Sequence, residues 1–258
     1  MPLLNLLMEV ILVNNSIYRI KALTKRNIKE IVRDPLSLIF IILMPLLMEI
    51  FFYLLFHSMT SQFEMKYLAP GIVVFSQTFL SLFIGLLIAV DRTTSFSARL
   101  YVSNMKSYEY IISYILALIP IVFIQSILFF IIGGVFDVSL FKIEMLYSIL
   151  LSLVTSILFL GLGILIGSLC NERSVGGIAS IIISGQSLLS GMWFPVEGLS
   201  GGMIKLMDFL PFKNATILIQ NTINGVNNVT KPLIIVLIYN VIIFILAVIV
   251  FKKKMKIQ

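Results

Sequence analysis

Long apolar stretches recur along the chain and are separated by shorter polar ones. A helix needs about 20 mostly apolar residues to cross the hydrocarbon core of a membrane, and six stretches come close to that length or exceed it. They are Pro35–His57, Tyr67–Val90, Tyr110–Phe136, Met145–Cys170, Val175–Met192 and Leu233–Phe251. This pattern predicts an all-α integral membrane protein with six transmembrane helices.

The stretch ahead of the first span, Asn14–Arg33, is amphipathic. At 100° per residue, its apolar and basic positions separate onto two sides of a helix. The apolar side holds Ile17, Ile20, Thr24, Ile28 and Ile31, and the basic side holds Arg19, Lys25, Arg26, Lys29 and Arg33. A helix of this kind lies in the membrane interface, where its basic side chains meet anionic headgroups. We therefore expect an N-terminal amphipathic elbow helix.

Both ends of this elbow are marked in the sequence. Met1–Val13 is apolar but too short to span, so we expect it to pack at the membrane surface. Asp34-Pro35 combines a residue that caps helix N-termini with a proline suited to the first helical position. A new helix should begin there. Residues 1–33 would then form the cytoplasmic elbow, and residues 34–258 the six-span bundle of a single membrane domain.

The segment from Trp193 to Pro232 is semi-apolar, rich in Gly and Pro, and too broken to be another span. Irregular backbone at membrane depth is tolerated only where protein buries it or where it lines a cavity. We expect an outer helical hairpin between spans five and six that is either interfacial or re-entrant. The residues singled out in it are Trp193, Phe194, Pro195, Glu197 and Pro211. Trp193 and Phe194 are expected to act as anchors at the membrane interface.

Composition excludes several classes of protein. The chain is 59% apolar and only 12% charged, against about 25% charged residues in an ordinary soluble domain. One Cys and one His cannot supply an internal disulfide or the ligands of a zinc site. There is no GxxxxGK[ST] loop, so this chain cannot hydrolyse ATP by that route. We expect no catalytic residue, no metal and no cofactor bound by this chain.

The net charge of +7, from 19 Lys+Arg and 12 Asp+Glu, is unevenly placed. With the N-terminus inside, 14 basic residues fall on the cytoplasmic side and five on the other. Those five are Lys66, Lys142, Lys205, Lys213 and Lys231. The split fits the positive-inside rule and predicts a multi-pass protein of the cell membrane with both termini cytoplasmic. Topology and contact with membrane lipids account for the charge, so we expect no nucleic-acid partner.

Glu49 is the one ionisable residue well inside a span. A charge in hydrocarbon is costly unless it is paired or faces water, so Glu49 is a candidate for lining a translocation path or a dimer interface. A side chain that reaches toward the outer headgroups, or that is protonated, is an equal alternative.

Amide and small side chains also lie within the spans. The amides are Gln77, Gln125, Gln186 and Asn240, and the small residues include Gly161, Gly163 and Gly167. The glycines indicate close helix approach. The amides either contact a polar part of a substrate or hydrogen-bond between helices, and both readings stay open.

The inner loop Asp91–Glu109 is the only cytoplasmic connection between spans long enough to form a helix. Its charged candidates for contact with a partner are Asp91, Arg92, Arg99 and Glu109. Its apolar candidates are Leu100, Tyr101, Met105 and Tyr108, and large buried anchors of this kind dominate interfaces.

Three groups of residues, taken in order, resemble a known family. The first is Arg33-Asp34-Pro35-Leu36-Ser37-Leu38 with Met44-Pro45. The second runs from Asp91-Arg92 through Ser97-Ala98-Arg99-Leu100 to Tyr108-Glu109. The third is Gly191-Met192-Trp193-Phe194-Pro195, followed by Phe209-Leu210-Pro211-Phe212. The ordered set resembles the membrane subunit of type-2 ABC exporters, in the branch of small drug and antibiotic-resistance permeases.

This resemblance implies a permease subunit that pairs with a second one, identical or homologous, and works with two copies of a separate cytoplasmic ATP-binding subunit. That partner would bind ATP and Mg²⁺. The cargo would be an amphiphilic drug, antibiotic, lipid or similar compound. By position, Asn14–Arg33 would lie on the inner leaflet, Asp91–Glu109 would dock on the ATPase, and Gly191–Phe212 would cap the path.

Two alternatives stay open. A glycan-exporting ABC permease shares the same architecture. An ion-coupled secondary transporter would normally show inverted repeats and several buried charges, whereas this sequence has one buried carboxylate and no repeat.

Overall fold

The computed structural model describes the backbone of residues 2–94, 105–194 and 196–255, with side chains from residue 16 onward except those of residues 197 and 255. The described part contains helices, turns and bends but no strand. Its helices are α1 Pro2–Val32, α2 Pro35–Phe56, α3 Met65–Thr93, α4 Ser107–Phe136, α5 Ile143–Leu169, α6 Glu172–Leu189, α7 Gly201–Phe209, α8 Pro211–Ile223 and α9 Thr230–Met255.

Helices cover all six predicted spans. Five of them, α2, α3, α4, α5 and α9, are long and apolar enough to cross a membrane. The fifth predicted span, Val175–Met192, corresponds to α6 and is not among those five. Its 18 residues extend about 27 Å, and they begin with Glu172 and Arg173, which lower the apolar character of the helix.

The elbow differs from the expectation at its start. Met1–Val13 does not form a separate segment, because Pro2–Val32 is one continuous helix of 31 residues. Its end is as predicted. The Asp34 side chain accepts a hydrogen bond from the Ser37 N–H at 3.2 Å, and Pro35 stands in the first turn of α2.

Helix α3 lies at the centre of the bundle, with most of its length buried. Glycines bring it close to α5, as predicted. A Cβ added at Gly163 would meet the Ser81 carbonyl oxygen at 2.3 Å, and one at Gly167 would meet the Gly85 carbonyl oxygen at 2.5 Å. Gly161 is similarly close to Ile243 of α9. The backbones of α3 and α5 can therefore approach each other this closely only because Gly163 and Gly167 have no side chains.

The four amides singled out in the sequence are buried, and all of them bond between helices. Gln77 donates to the Ser152 carbonyl at 3.0 Å, and Gln125 to the Ile41 carbonyl at 3.2 Å. Gln186 donates to the Thr216 hydroxyl at 3.0 Å, and Asn240 to the Val154 carbonyl at 2.9 Å. Of the two readings of these amides, the structure shows the interhelical one.

The bundle has two ends, which we call the elbow end and the hairpin end after the segments predicted from the sequence. At the elbow end, α1 lies against the C-terminus of α3 and the N-terminus of α4, and its buried Leu23 and Ile31 join an apolar cluster with Ile88 and Phe251. At the hairpin end, α8 packs among α3, α5 and α9. Thr94 and Met105, the described residues on either side of segment 95–104, lie at the elbow end. We call that segment loop 95–104, after the inner loop predicted from the sequence.

Candidate functional site

At the elbow end, a bidentate ion pair joins α1 to the last turn of α3. The Arg26 guanidinium donates to both Asp91 oxygens, at 2.6 and 2.7 Å. Asp91 is buried, and it also accepts a hydrogen bond from the Tyr114 hydroxyl of α4. Because the Tyr114 proton goes to Asp91, Tyr110 must be the donor in the 2.9 Å contact between the two tyrosines. Three helices thus meet at one carboxylate.

A second ion pair ties α1 to the first turn of α4. Arg19 donates to the two Glu109 oxygens at 3.0 and 2.6 Å, and Ser16 donates to the same carboxylate. Glu109 also accepts from the Lys106 backbone N–H at 2.9 Å. A carboxylate at this position is favoured because helix N-termini leave N–H groups without intrahelical partners.

The spacing along α1 explains why one helix reaches both carboxylates. Arg19 and Arg26 are seven residues apart, so they lie on one face, about 10 Å from each other along the axis. Burial lowers the pKa of Arg26, but the hydrogen bonds and charge of Asp91 outweigh it and raise the pKa above its ordinary value. The hydrogen bond to Glu109 likewise raises the pKa of Arg19. Both arginines therefore remain charged at any physiological pH.

Arg92 fixes the same region to α5. Its guanidinium donates to the carbonyls of Gly167, Ser168 and Cys170 at 2.9, 2.5 and 3.3 Å. These carbonyls belong to the C-terminal end of α5, where cations are favoured by unpaired C=O groups. The end of α3 is therefore anchored on both sides.

These contacts revise the predicted roles of the loop's charged residues. Asp91 and Glu109 are buried and paired with arginines of α1, so their side chains are not available to a partner in this structure. Arg92 is likewise occupied by carbonyls. Met105 and Tyr108 are half-buried. The predicted contact residues Arg99, Leu100 and Tyr101 lie outside the described residues.

The basic side predicted for the elbow divides into two groups. Arg19 and Arg26 face protein carboxylates instead of headgroups. Lys25, Lys29 and Arg33 are exposed. Sequence reasoning missed the two pairings, although one signal was present. The two arginines share a face, and an acidic residue stands at each end of the loop.

At the hairpin end, Trp193 packs into an aromatic cluster instead of standing as a free interfacial anchor. Its ring lies 4.4 Å from Phe52, 5.8 Å from Phe75 and 6.4 Å from Phe63, measured between ring centroids. Phe194 is 49% exposed. Pro195 and the side chain of Glu197 lie outside the described residues.

Helices α7 and α8 meet at Leu210-Pro211, with Pro211 buried in the first turn of α8. Asn214 donates to the carbonyls of Asp208 and Leu210 at 2.9 and 2.8 Å, which caps the end of α7. The Lys213 ammonium pairs with Asp208 at 2.6 Å.

The other end of α8 is bonded to the start of α3. Gln220 donates to the Tyr67 carbonyl at 2.9 Å, and Asn224, just after the helix, donates to the Lys66 carbonyl at 2.9 Å.

Glu49, a candidate for lining a path, is fully buried within the bundle. One of its carboxyl oxygens would lie 3.3 Å from a Cβ at Gly133 of α4, beside Ala69 of α3. Neither carboxyl oxygen has a hydrogen-bond partner among the described residues. In this conformation the Glu49 carboxyl group faces α3 and α4.

Residues 18–224 match the family model described as ABC-2 type transporter. This stretch includes the two arginines of α1, the carboxylates they bind, and helices α7 and α8. The chain belongs to the ABC-2 type transporter family. It is accordingly a multi-pass permease and not itself a catalyst, and permeases of this family normally work with an ATP-binding subunit. No curated protein matches the sequence.

Proposed function

We propose that the chain is the membrane subunit of an ATP-driven exporter, with the family match over residues 18–224 as the observation that carries the proposal. Two copies of a separate ATP-binding subunit would bind ATP and Mg²⁺, and a second permease subunit, identical or homologous, would complete the path. The cargo is an amphiphilic drug, antibiotic or lipid, as in the small drug and antibiotic-resistance branch that the sequence resembles.

In this proposal the elbow end faces the cytoplasm. The 14-to-5 division of basic residues supports that orientation. α6 is then the fifth of six spans and α1 lies on the inner leaflet of the cell membrane, with both chain termini inside.

In this proposal, movement of the ATPase is transmitted to the permease through loop 95–104. The described residues on either side of the loop are clamped, Asp91 by Arg26 and Glu109 by Arg19, and Arg92 holds the end of α5. A displacement of the loop by the ATPase would therefore move α1, α3, α4 and α5 together. Asp91, Arg92 and Glu109 act as positioning residues, while Arg99, Leu100, Tyr101, Met105 and Tyr108 supply the contacts with the partner.

At the opposite end, α7 and α8 form a re-entrant cap over the path. With 9 and 13 residues, they extend about 13 and 20 Å, short of the roughly 30 Å hydrocarbon core. Phe212, near the start of α8, stacks on Phe159 with 6.2 Å between the ring centroids. Phe159 lies about 24 Å along α5 from the hairpin end. Asn224 is back at the hairpin end beside Lys66. These positions support a pair of helices that enters and leaves the membrane on one side.

Truncation of the loop contacts tests this function. Leu100→Ala with Tyr101→Ala should release the ATPase or abolish export at normal permease levels, with a cost of about 2 kcal/mol or more if the two are hot spots. Val138→Ala with Phe194→Ala, which trims two exposed side chains at the hairpin end, is the matched control. Co-purification of the ATPase and ATP-dependent cargo efflux are the measurements. Full export with the loop truncations, or an active transporter that contains no ATPase, would favour the secondary carrier.

A further inference from the structure

A groove of about 800 Å³ runs between α1 and the first turns of α4. Most of its lining is apolar, formed by Ile17, Ile20, Thr24, Ile28, Ile112 and Leu116. Three cationic side chains complete the lining, all from α1: Lys21, Lys25 and Lys29. An apolar cleft with cations along one edge matches a ligand that has a hydrocarbon tail and an anionic head.

The three lysines are available to such a head group. They recur every fourth residue, so they form a row about 12 Å long on one side of α1. All three are exposed, and none has an ion-pair partner in the part of the chain that the structure describes. The two arginines on the neighbouring face are instead bound to Asp91 and Glu109. α1 thus turns its arginines to the protein and its lysines to the groove.

The hydrocarbon tail of such a ligand can also pack along an apolar face of α4. Beyond Leu116, α4 presents exposed apolar side chains at helical spacing, among them Phe123 and Ile124. Half of the hydrocarbon core is about 15 Å thick, which α4 covers in about ten residues. An acyl chain that starts at Ile112 and Leu116 can therefore lie along α4 to the middle of the bilayer.

We propose that this groove binds one anionic phospholipid of the cytoplasmic leaflet, with its phosphate at Lys21, Lys25 and Lys29 and an acyl chain over Ile112 and Leu116. The inference depends on the proposed function only in placing α1 at the cytoplasmic surface. A membrane lipid fits better than cargo because the groove continues into the exposed face of α4. A lipid held there would brace α1 against α4 beside the two ion pairs that flank loop 95–104.

Lipid retention tests the site without any transport assay. The permease is reconstituted in nanodiscs of phosphatidylcholine with a minor fraction of phosphatidylglycerol, extracted in mild detergent, and examined by native mass spectrometry. The unmodified chain should retain one phosphatidylglycerol per subunit. K21Q/K25Q/K29Q should lower that retention by about tenfold or more, since each lysine near an anionic surface contributes severalfold in affinity. K252Q/K253Q/K254Q, which removes the same charge from exposed lysines of α9, should leave it unchanged.

A second pair of variants isolates the apolar part of the groove. Leu116→Trp fills the groove and should also lower retention with all three lysines intact, whereas Ile131→Trp, farther along the same face of α4, should not. Equal retention in K21Q/K25Q/K29Q, or equal loss in both lysine triples, would overturn the proposal. So would native extracts in which the retained molecule is an amphiphilic compound other than a phospholipid. None of these measurements involves the ATPase, so they fail or succeed independently of the proposed coupling.

Discussion

The elbow end and the hairpin end of this permease are held together by different chemistry. At the elbow end, two arginines of α1 reach carboxylates that are 65 and 90 positions away in sequence, and a third arginine caps α5. At the hairpin end, Trp193 packs against phenylalanine rings in tilted and edge-on contacts, and the amides of Gln220 and Asn224 bond to backbone carbonyls of α3.

The difference matches what each end is proposed to do. Bidentate guanidinium–carboxylate pairs are strong and fix orientation as well as distance, so they suit a junction that transmits a displacement between helices. Aromatic packing is less directional and excludes water over a large area. It suits a cap that closes one end of a path.

The largest expected effect is a difference in cysteine labelling between the two ends of the bundle. It is all-or-none, and it decides which end is cytoplasmic. In a Cys170→Ser background, cysteines placed at Ser61, Ser139 and Ser200 should react with an impermeant reagent in intact cells, because these positions lie at the hairpin end. Cysteines at Ser97 and Ser174 should react only after the cells are opened. Labelling of Ser97→Cys in intact cells would place the elbow end outside the cell, opposite to the proposed orientation.

A large effect on stability is expected at the elbow end. Arg26→Ala would leave the buried Asp91 without its cation, which typically costs about 3–5 kcal/mol. Arg26→Met with Asp91→Leu should recover most of this loss, because removing both members avoids an uncompensated buried charge. Arg33→Ala, which removes an exposed arginine just after α1, serves as the control. The fraction of monodisperse permease after heating in detergent measures the outcome, and an unchanged fraction in Arg26→Ala would show that the pair does not brace the fold.

A smaller effect is expected at the hairpin end. Trp193→Ala would remove contacts with Phe52 and Phe75 and should cost about 2 kcal/mol, below the range for a fully buried Trp because this side chain is half-buried. Phe194→Ala should change little, since that ring is exposed. Trp193→Ala should also alter cargo-stimulated ATPase activity while the ATPase stays bound. Loss of ATPase binding would mean that the two ends are not separate in function.

Much of the fold was predictable because its signals are local. Apolar stretches located the helices, and Asp34-Pro35 located the start of α2, since capping depends on a few adjacent residues. The glycines of α5 pointed correctly to close helix packing. The continuity of α1 was not predicted, because a change of pattern at Asn14 does not require a break in the backbone.

The site was less predictable because its contacts are distant in sequence. Helical spacing showed that Arg19 and Arg26 share a face but not which partners that face meets. The same is true of Trp193, whose ring was expected at the interface and instead packs on α2 and α3. Glu49 shows the same limit. Its position inside a span could be predicted from the sequence, but its enclosure by α3 and α4 depends on how the helices pack.

The most direct test of the central claim, that an ATPase acts on this permease through loop 95–104, is a site-specific crosslink. A photo-crosslinking amino acid is placed at Tyr101, with Ser139 at the hairpin end as the matched control position, and crosslinked partners are identified by mass spectrometry from native membranes. We expect Tyr101 to capture a protein with a nucleotide-binding loop and Ser139 to capture none. An actively transporting complex in which Tyr101 captures no such protein, or in which Ser139 does, would contradict the account.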